Sequence, residues 1–157
     1  MSLAIPESLR IEHDHLHAQL LPLTREEGDI GAAARGVAQR LHPHFVKEEA
    51  FALPPLGLLA RIAQDGVTPD MAEVLTMTRD LAAELPAMLA EHREIVTALH
   101  ALARAGERAG RADVVEFAGA LTLHAQTEEQ VMYPAALLVG ERVASALPAQ
   151  SPSKRAA

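Results

Sequence analysis

Apolar residues, chiefly alanine and leucine, recur through most of the 157-residue chain at helical spacing, and no alternating run of Val, Ile or Thr marks a strand. The pattern predicts an all-helical protein. A first helix starts at Pro6, a good first-turn residue, and runs to about Arg25, where EEGD breaks it and Pro22 bends the last turn. A second starts with Asp29 as N-cap and runs to about Leu53, kinked at Pro43, one residue before His44. PPLGLLARIAQDG then holds a short helix and a turn. Thr68-Pro69-Asp70 combines a capping hydroxyl, a first-position proline and an acid in the first turn, opening a third helix that runs to about Ala105. GERAG ends it, and a fourth helix spans about Ala112 to Ala146, bent near Pro134. Residues 1–147 therefore read as one domain, an up-down-up-down four-helix bundle with a short extra helix between helices two and three. The small, polar, proline-bearing stretch 148–157 is expected to be a disordered tail.

The polar positions that interrupt this pattern are themselves patterned. EHDHLHAQL at 12–20 matches EHREIVTAL at 91–99, pairing His13 with His92, Leu16 with Ile95 and Leu20 with Leu99. HPHFVKEEAFALPPL at 42–56 matches LHAQTEEQVMYPAAL at 123–137. His44 and His124 each stand four residues before a glutamate, Glu48 or Glu128, and Pro54 and Pro134 close the two motifs. The near-constant offset between the copies indicates a duplicated helix pair.

Helix geometry compares their heights. At about 1.5 Å per residue, His13 lies about 18 Å before the end of the first helix and His44 about 22 Å after the start of the second. His92 and His124 lie about 20 Å and 18 Å from the corresponding ends in the second pair. All four imidazoles can meet at one level of the core. Each His-x-x-x-Glu pair projects from one helical face, so two carboxylates join them. Buried carboxylates are costly unless paired or coordinated, and a metal supplies that compensation. The prolines are suited to bending the helices so as to aim these groups.

Composition narrows the chemistry. The chain has no cysteine, which excludes disulfides, cysteine-bound iron-sulfur clusters and thiol nucleophiles and is compatible with a reducing cytoplasm. No stretch reaches the roughly 20 apolar residues of a membrane span, and the N-terminal stretch MSLAIPESLRIEHDH lacks the pattern of an export signal, so a cytoplasmic protein is expected. The formal charge of -7 argues against nucleic-acid and anionic-membrane partners.

The paired His-x-x-x-Glu motifs with two further Glu-His helices resemble the hemerythrin-like family of HHE cation-binding helical bundles, over about residues 8–145. The resemblance implies a hemerythrin-like fold and a non-haem di-iron site. His13, His44, His92 and His124 would be the nitrogen ligands, and Glu48 and Glu128 would bridge the metals. Two octahedral irons offer about 12 positions, of which these residues fill about eight and an oxo or hydroxo bridge two more, leaving about one open position per iron. A small ligand such as dioxygen, nitric oxide or peroxide is then the expected partner, and a homodimer is compatible with the same features. Zinc or manganese are alternative metals, since imidazole and carboxylate bind several divalent ions.

This chain differs from the oxygen carriers of that family. They have a second histidine one turn after the first on helix three, where Val96 stands here, and a five-residue step to aspartate where His124 is followed by Glu128 and Glu129. A four-His, two-Glu set is similar instead to bacterial HHE proteins and to di-iron proteins linked to repair of iron centres, which usually carry a cysteine-bearing N-terminal segment. Ferritin-like bundles use Glu-x-x-His motifs, the reverse of the order repeated here. An iron- or redox-responsive interaction module without turnover is the alternative function, with residues 69–90 and the short helix at 56–64 as its surface.

His17 lies one turn from His13 and within reach of the site, but it reads more simply as a surface or core histidine, as do His15, His42 and His100. Glu49 and Glu129 point about 140° from their motif histidines and read as outer or surface acids. Phe51 and Val131 are expected to form an apolar cover, and Tyr133, the only tyrosine, to pack rather than to donate to the ligands.

Overall fold

The computed structural model of the chain describes residues 3–147. The tail expected at 148–157 lies outside them. Every regular element among the described residues is helical: α1 (Glu7–Thr24), α2 (Gly28–Lys47), α3 (Leu59–Asp65), α4 (Val74–Arg108), α5 (Ala112–Thr127) and α6 (Tyr133–Ala146). A π-helical turn, Glu48–Ala52, prolongs α2, and a second, Glu128–Met132, joins α5 to α6 into one long rod. Short 3₁₀ turns, Pro54–Leu58 and Pro69–Glu73, lead into α3 and α4. The four rods of the bundle are thus α1, α2 with its π turn, α4, and α5 through α6, with α3 as the extra helix between the second and third. No helix among the described residues is long and apolar enough to cross a membrane.

The helix ends depart locally from the expected caps. α2 begins at Gly28, so Asp29 lies in its first turn rather than capping it. Thr68 does not cap either: its hydroxyl donates to Asp70 and accepts from Arg61 Nη2 at 2.8 Å, tying α3 to the start of the third rod. Gly110 sits at φ 67°, where a side chain is disfavoured, and turns the chain from α4 into α5. At Gly140 a Cβ would come within 2.2 Å of Thr78 Oγ1, so the bare backbone lets α6 lie against α4.

Three apolar clusters fill the bundle. The largest gathers Leu16 and Leu20 of α1, Val37, Leu41 and Phe45 of α2, Ile95 and Leu99 of α4, and Phe117 and Leu121 of α5. A second holds Ala52, Leu53, Leu56, Leu81, Met88, Tyr133 and Ala136, and a third holds Leu58, Met71, Val74, Val139 and Val143. The stretch 69–90, proposed from sequence as a partner surface, buries Met71, Val74, Leu81 and Met88 in these clusters and Thr78 against Gly140. Between the first and second clusters lies one layer of polar side chains.

Candidate metal centre

That layer comprises His13, His44, Glu48, His92, His124 and Glu128, all buried and all indicated by the sequence. Their ligand-type atoms form two groups, His44, Glu48, His92 and Glu128 in one and His13, His124 and Glu128 in the other, the atoms of each group lying within 4.8 Å of one another. Glu128 belongs to both. Its Oε1 lies 2.8 Å from His124 Nε2 and 3.4 Å from His13 Nε2, while its Oε2 lies 3.3 Å from His92 Nε2. Glu48 faces His44 Nε2 at 3.2 Å through Oε1 and His13 Nε2 at 3.8 Å through Oε2. The duplicated sequence has folded into two facing half-sites that share their carboxylates.

The local backbone explains how they are aimed. Both glutamates occupy the first position of a π turn, one residue past the α-helical end of their rod. Leu53 N–H donates to Glu48 O at 2.8 Å, and Tyr133 N–H donates to Glu128 O, the i to i+5 bonds of widened turns. The next residue in each case is proline, Pro54 or Pro134. In an α-helix a proline ring collides with the carbonyl four residues back, and the extra residue of a π turn relieves that collision.

Outside the inner ring, each histidine turns its other nitrogen to a glutamate. His44 Nδ1 donates to Glu91 Oε2 at 2.7 Å and His92 Nδ1 to Glu129 Oε1 at 3.0 Å. His124 Nδ1 faces Glu12 Oε1 at 3.1 Å, without hydrogen-bond alignment, and His13 Nδ1 faces Glu49 Oε1 at 3.8 Å. The four acids repeat with the duplication: Glu12 and Glu91 precede the lone histidines, and Glu49 and Glu129 follow the inner glutamates. Glu49 and Glu129 read as outer acids from sequence; Glu12 and Glu91 stood in the repeated Glu-His pairs, but their partners lie on other helices. Lys47 adds a contact to Glu91 at 2.5 Å, so the His44 side has an anchored carboxylate.

Glu91 and Glu129 hold the hydrogens of His44 and His92 at Nδ1 and turn the Nε2 lone pairs of those two rings inward, and the Nε2 atoms of His13 and His124 point the same way. Four Nε2 atoms and the carboxylate oxygens of two glutamates then face one another. His44 and His92 Nε2 are 2.7 Å apart, and those of His13 and His124 are 3.2 Å apart. Glu48 Oε2 is buried without a hydrogen-bond partner. A buried cluster made almost wholly of acceptors is stable only with cations among them, and the imidazole and carboxylate donors suit a divalent or trivalent metal. The residues present fit such a group.

In the metal-free chain, protons take that place. Burial pulls the His44 pKa down, but its bond to Glu48 and that carboxylate's charge, then Glu91, outweigh burial and raise it. His124 behaves likewise: against burial, Glu128 and then Glu12 raise its pKa to about 9. Burial and the charge of Glu128 push the Glu48 carboxyl up, against His44. For Glu128, hydrogen bonds from His124, His13 and His92 overcome burial and hold it well below the usual range. Burial and the nearby carboxylates keep the Tyr133 phenol protonated far above its ordinary range.

The two half-sites differ where the duplicated sequence differs. Phe45, whose counterpart is Ala125, stacks on His13 with ring centroids 4.2 Å apart. Tyr133, whose counterpart is Leu53, puts its hydroxyl 3.2 Å from both His44 Nε2 and His92 Nε2 and donates to Glu48 Oε1. The tyrosine expected to pack is therefore a polar member of the site, and the cover on the other side is Phe45. Val131 is 58% exposed and covers nothing, and Phe51 packs on the second apolar cluster. The reason is the π turn: in an α-helix residue i+5 points about 140° away, whereas here it stands one turn above its glutamate.

His15, His17, His42 and His100 are exposed and stand outside the ring. His17 and His42 instead line a cavity of about 50 Å³ between α1 and α2, floored by Leu20, Leu41 and Phe45.

The family model described as the hemerythrin HHE cation binding domain matches residues 4–136 and, a second time, residues 83–150. No curated protein and no solved structure gives a match.

Proposed function

This chain belongs to the hemerythrin HHE cation-binding domain family, and from that premise we propose that it is a non-haem di-iron protein that binds or reacts with a small ligand such as dioxygen, nitric oxide or peroxide. The observation that carries the reading is the inner ring itself: four inward Nε2 atoms and two carboxylates buried between apolar layers, with Glu128 common to both halves. His44 and His92 would hold one ion, His13 and His124 the other, with Glu48 and Glu128 between them. Bound iron would supply an electron reservoir and a coordination position for the incoming molecule.

The chain's own residues supply the rest. Glu91 and Glu129 orient His44 and His92 through hydrogen bonds to Nδ1 and raise their basicity, and Glu12 and Glu49 place negative charge beside His124 and His13. The apolar layers above and below exclude bulk water and limit entry to molecules of few atoms. The small cavity between α1 and α2 reaches as far as Phe45, whose ring stacks on His13 and closes that side of the polar layer.

Protein produced with iron is expected to hold about two irons per chain, with an absorption spectrum that changes on adding nitric oxide or peroxide. Glu128→Ala should lose most of both ions, because its carboxylate serves both halves; Glu48→Ala should also be severe. Full iron occupancy in Glu128→Ala would sink the shared-ligand assignment. Two irons with no response to any of the three molecules would point to the metal-responsive interaction module instead.

A further inference from the structure

We propose that Tyr133 is a seventh protein ligand, bound through its phenolate oxygen to the ion held by His44 and His92, and that this makes the two metal positions unequal. The inference rests on the di-iron reading above. Its geometric basis is the spacing of the donors around this half-site. An octahedral ion about 2.1 Å from each ligand atom sets neighbouring donors about 3 Å apart. Tyr133 Oη lies 3.2 Å from His44 Nε2 and 3.2 Å from His92 Nε2, and those two nitrogens lie 2.7 Å from each other. Glu48 Oε1 is 3.2 Å from His44 Nε2, and Glu128 Oε2 is 3.3 Å from His92 Nε2. The phenol oxygen therefore stands where a neighbouring ligand of the same ion would stand.

Two further observations separate this residue from a packing tyrosine. Tyr133 is among the most completely buried large side chains, and its hydroxyl is aimed at the polar layer rather than away from it. It is also carried there by the π turn, whose Tyr133-to-Glu128 backbone bond sets the ring one turn above a shared carboxylate. In the other half the matching backbone position holds Leu53, fully buried and unable to coordinate, with the Phe45 ring stacked on His13. An open position therefore remains on the ion of His13 and His124, and the incoming small molecule binds there.

Ligation breaks the phenol O–H bond, now donated to Glu48, forms one oxygen–metal bond and releases one proton to solvent; no electron moves. Iron in its ferric state bound to a phenolate absorbs visible light by charge transfer, and excitation in that band enhances the ring vibrations of the phenolate. Because Tyr133 is the only tyrosine and the chain has no tryptophan, such a signal has one source. The experiment is metal analysis, visible absorption and resonance Raman spectroscopy on ferric-loaded protein, parent and Tyr133→Phe. Expected are the phenolate band and ring modes in the parent, and their complete loss in Tyr133→Phe with the iron content retained. Azide, as a probe, should bind the parent once per di-iron unit. Two irons without phenolate modes in the parent overturn the assignment of Tyr133 alone, and so does a band that survives in Tyr133→Phe. A parent that takes up no iron overturns the di-iron reading, and this proposal with it. Should Tyr133→Phe fail to fold, the parent spectrum decides by itself.

Discussion

At the scale of single residues, the site is a competition between protons and metal for the same lone pairs. His124 shows its sign. With its folded-state pKa raised to about 9 from an ordinary 6.5, it stabilises the metal-free fold fully below 6.5, and that contribution is lost as pH rises through 9. The melting temperature of metal-free protein should therefore fall between pH 6.5 and 9, while metal affinity climbs over the same range as protons leave. Calorimetry and metal titration across that window check both arms, and a melting point that rises with pH would contradict the proton-filled ring. In His124→Gln the decline should be shallower. A second prediction concerns the outer acids: Glu91→Gln keeps size but weakens the acceptor of His44 Nδ1, and it should lower metal affinity by about 10–100-fold. Competition with a chelator measures this, and unchanged affinity would mean that Glu91 serves only Lys47.

At the scale of elements, the two π turns decide what the sequence could disclose. His-x-x-x-Glu spacing within an α-helix and the repeated Glu-His pairs made all six inner residues legible, because each lies before or at the first residue of a π turn. Beyond that residue the α-helical phase no longer holds, so Tyr133 read as packing and Val131 as cover. The prolines were visible, but a proline alone does not distinguish a bend from a widened turn. The outer role of Glu12 and Glu91 was hidden for another reason: their partners, His124 and His44, come from other helices, and only tertiary structure joins them. Deleting the exposed Val131 should convert the second π turn to α-helix and bring the Pro134 ring against the carbonyl four residues back, costing roughly 3 kcal/mol. Adding Pro134→Ala to the deletion should restore most of that loss. Equal denaturant midpoints for the single and double variants would show that the proline does not hold the turn open.

At the scale of the whole molecule, the polar layer joins helices whose apolar contacts are unevenly shared. The buried residues of α1 are His13, Leu16, Leu20 and Leu23, so in its first two turns His13 is the one fully buried side chain, with Leu9 partly buried against the second cluster and Ile11 54% exposed. The rest of α1 is secured by leucines in the largest core cluster. His13 reaches α5 through His124 at 3.2 Å, the second π turn through Glu128 at 3.4 Å, and α2 through the stacked Phe45. In metal-free protein those polar contacts compete with water whenever the end of α1 opens; with metal bound, opening must break a ligand bond. Metal at a hundredfold excess over its dissociation constant adds about 2.7 kcal/mol of stability. That gain should be local as well as global, because stability is not uniform along a bundle. Hydrogen exchange with and without metal should show the largest loss of protection at residues 7–15 on removal, with 16–24 and α4 changing less. His13→Ala should exchange rapidly over 7–15 even with metal present. Loss of protection spread evenly over all four rods would mean that the bundle opens only as a unit and that His13 is not the clasp of its first helix.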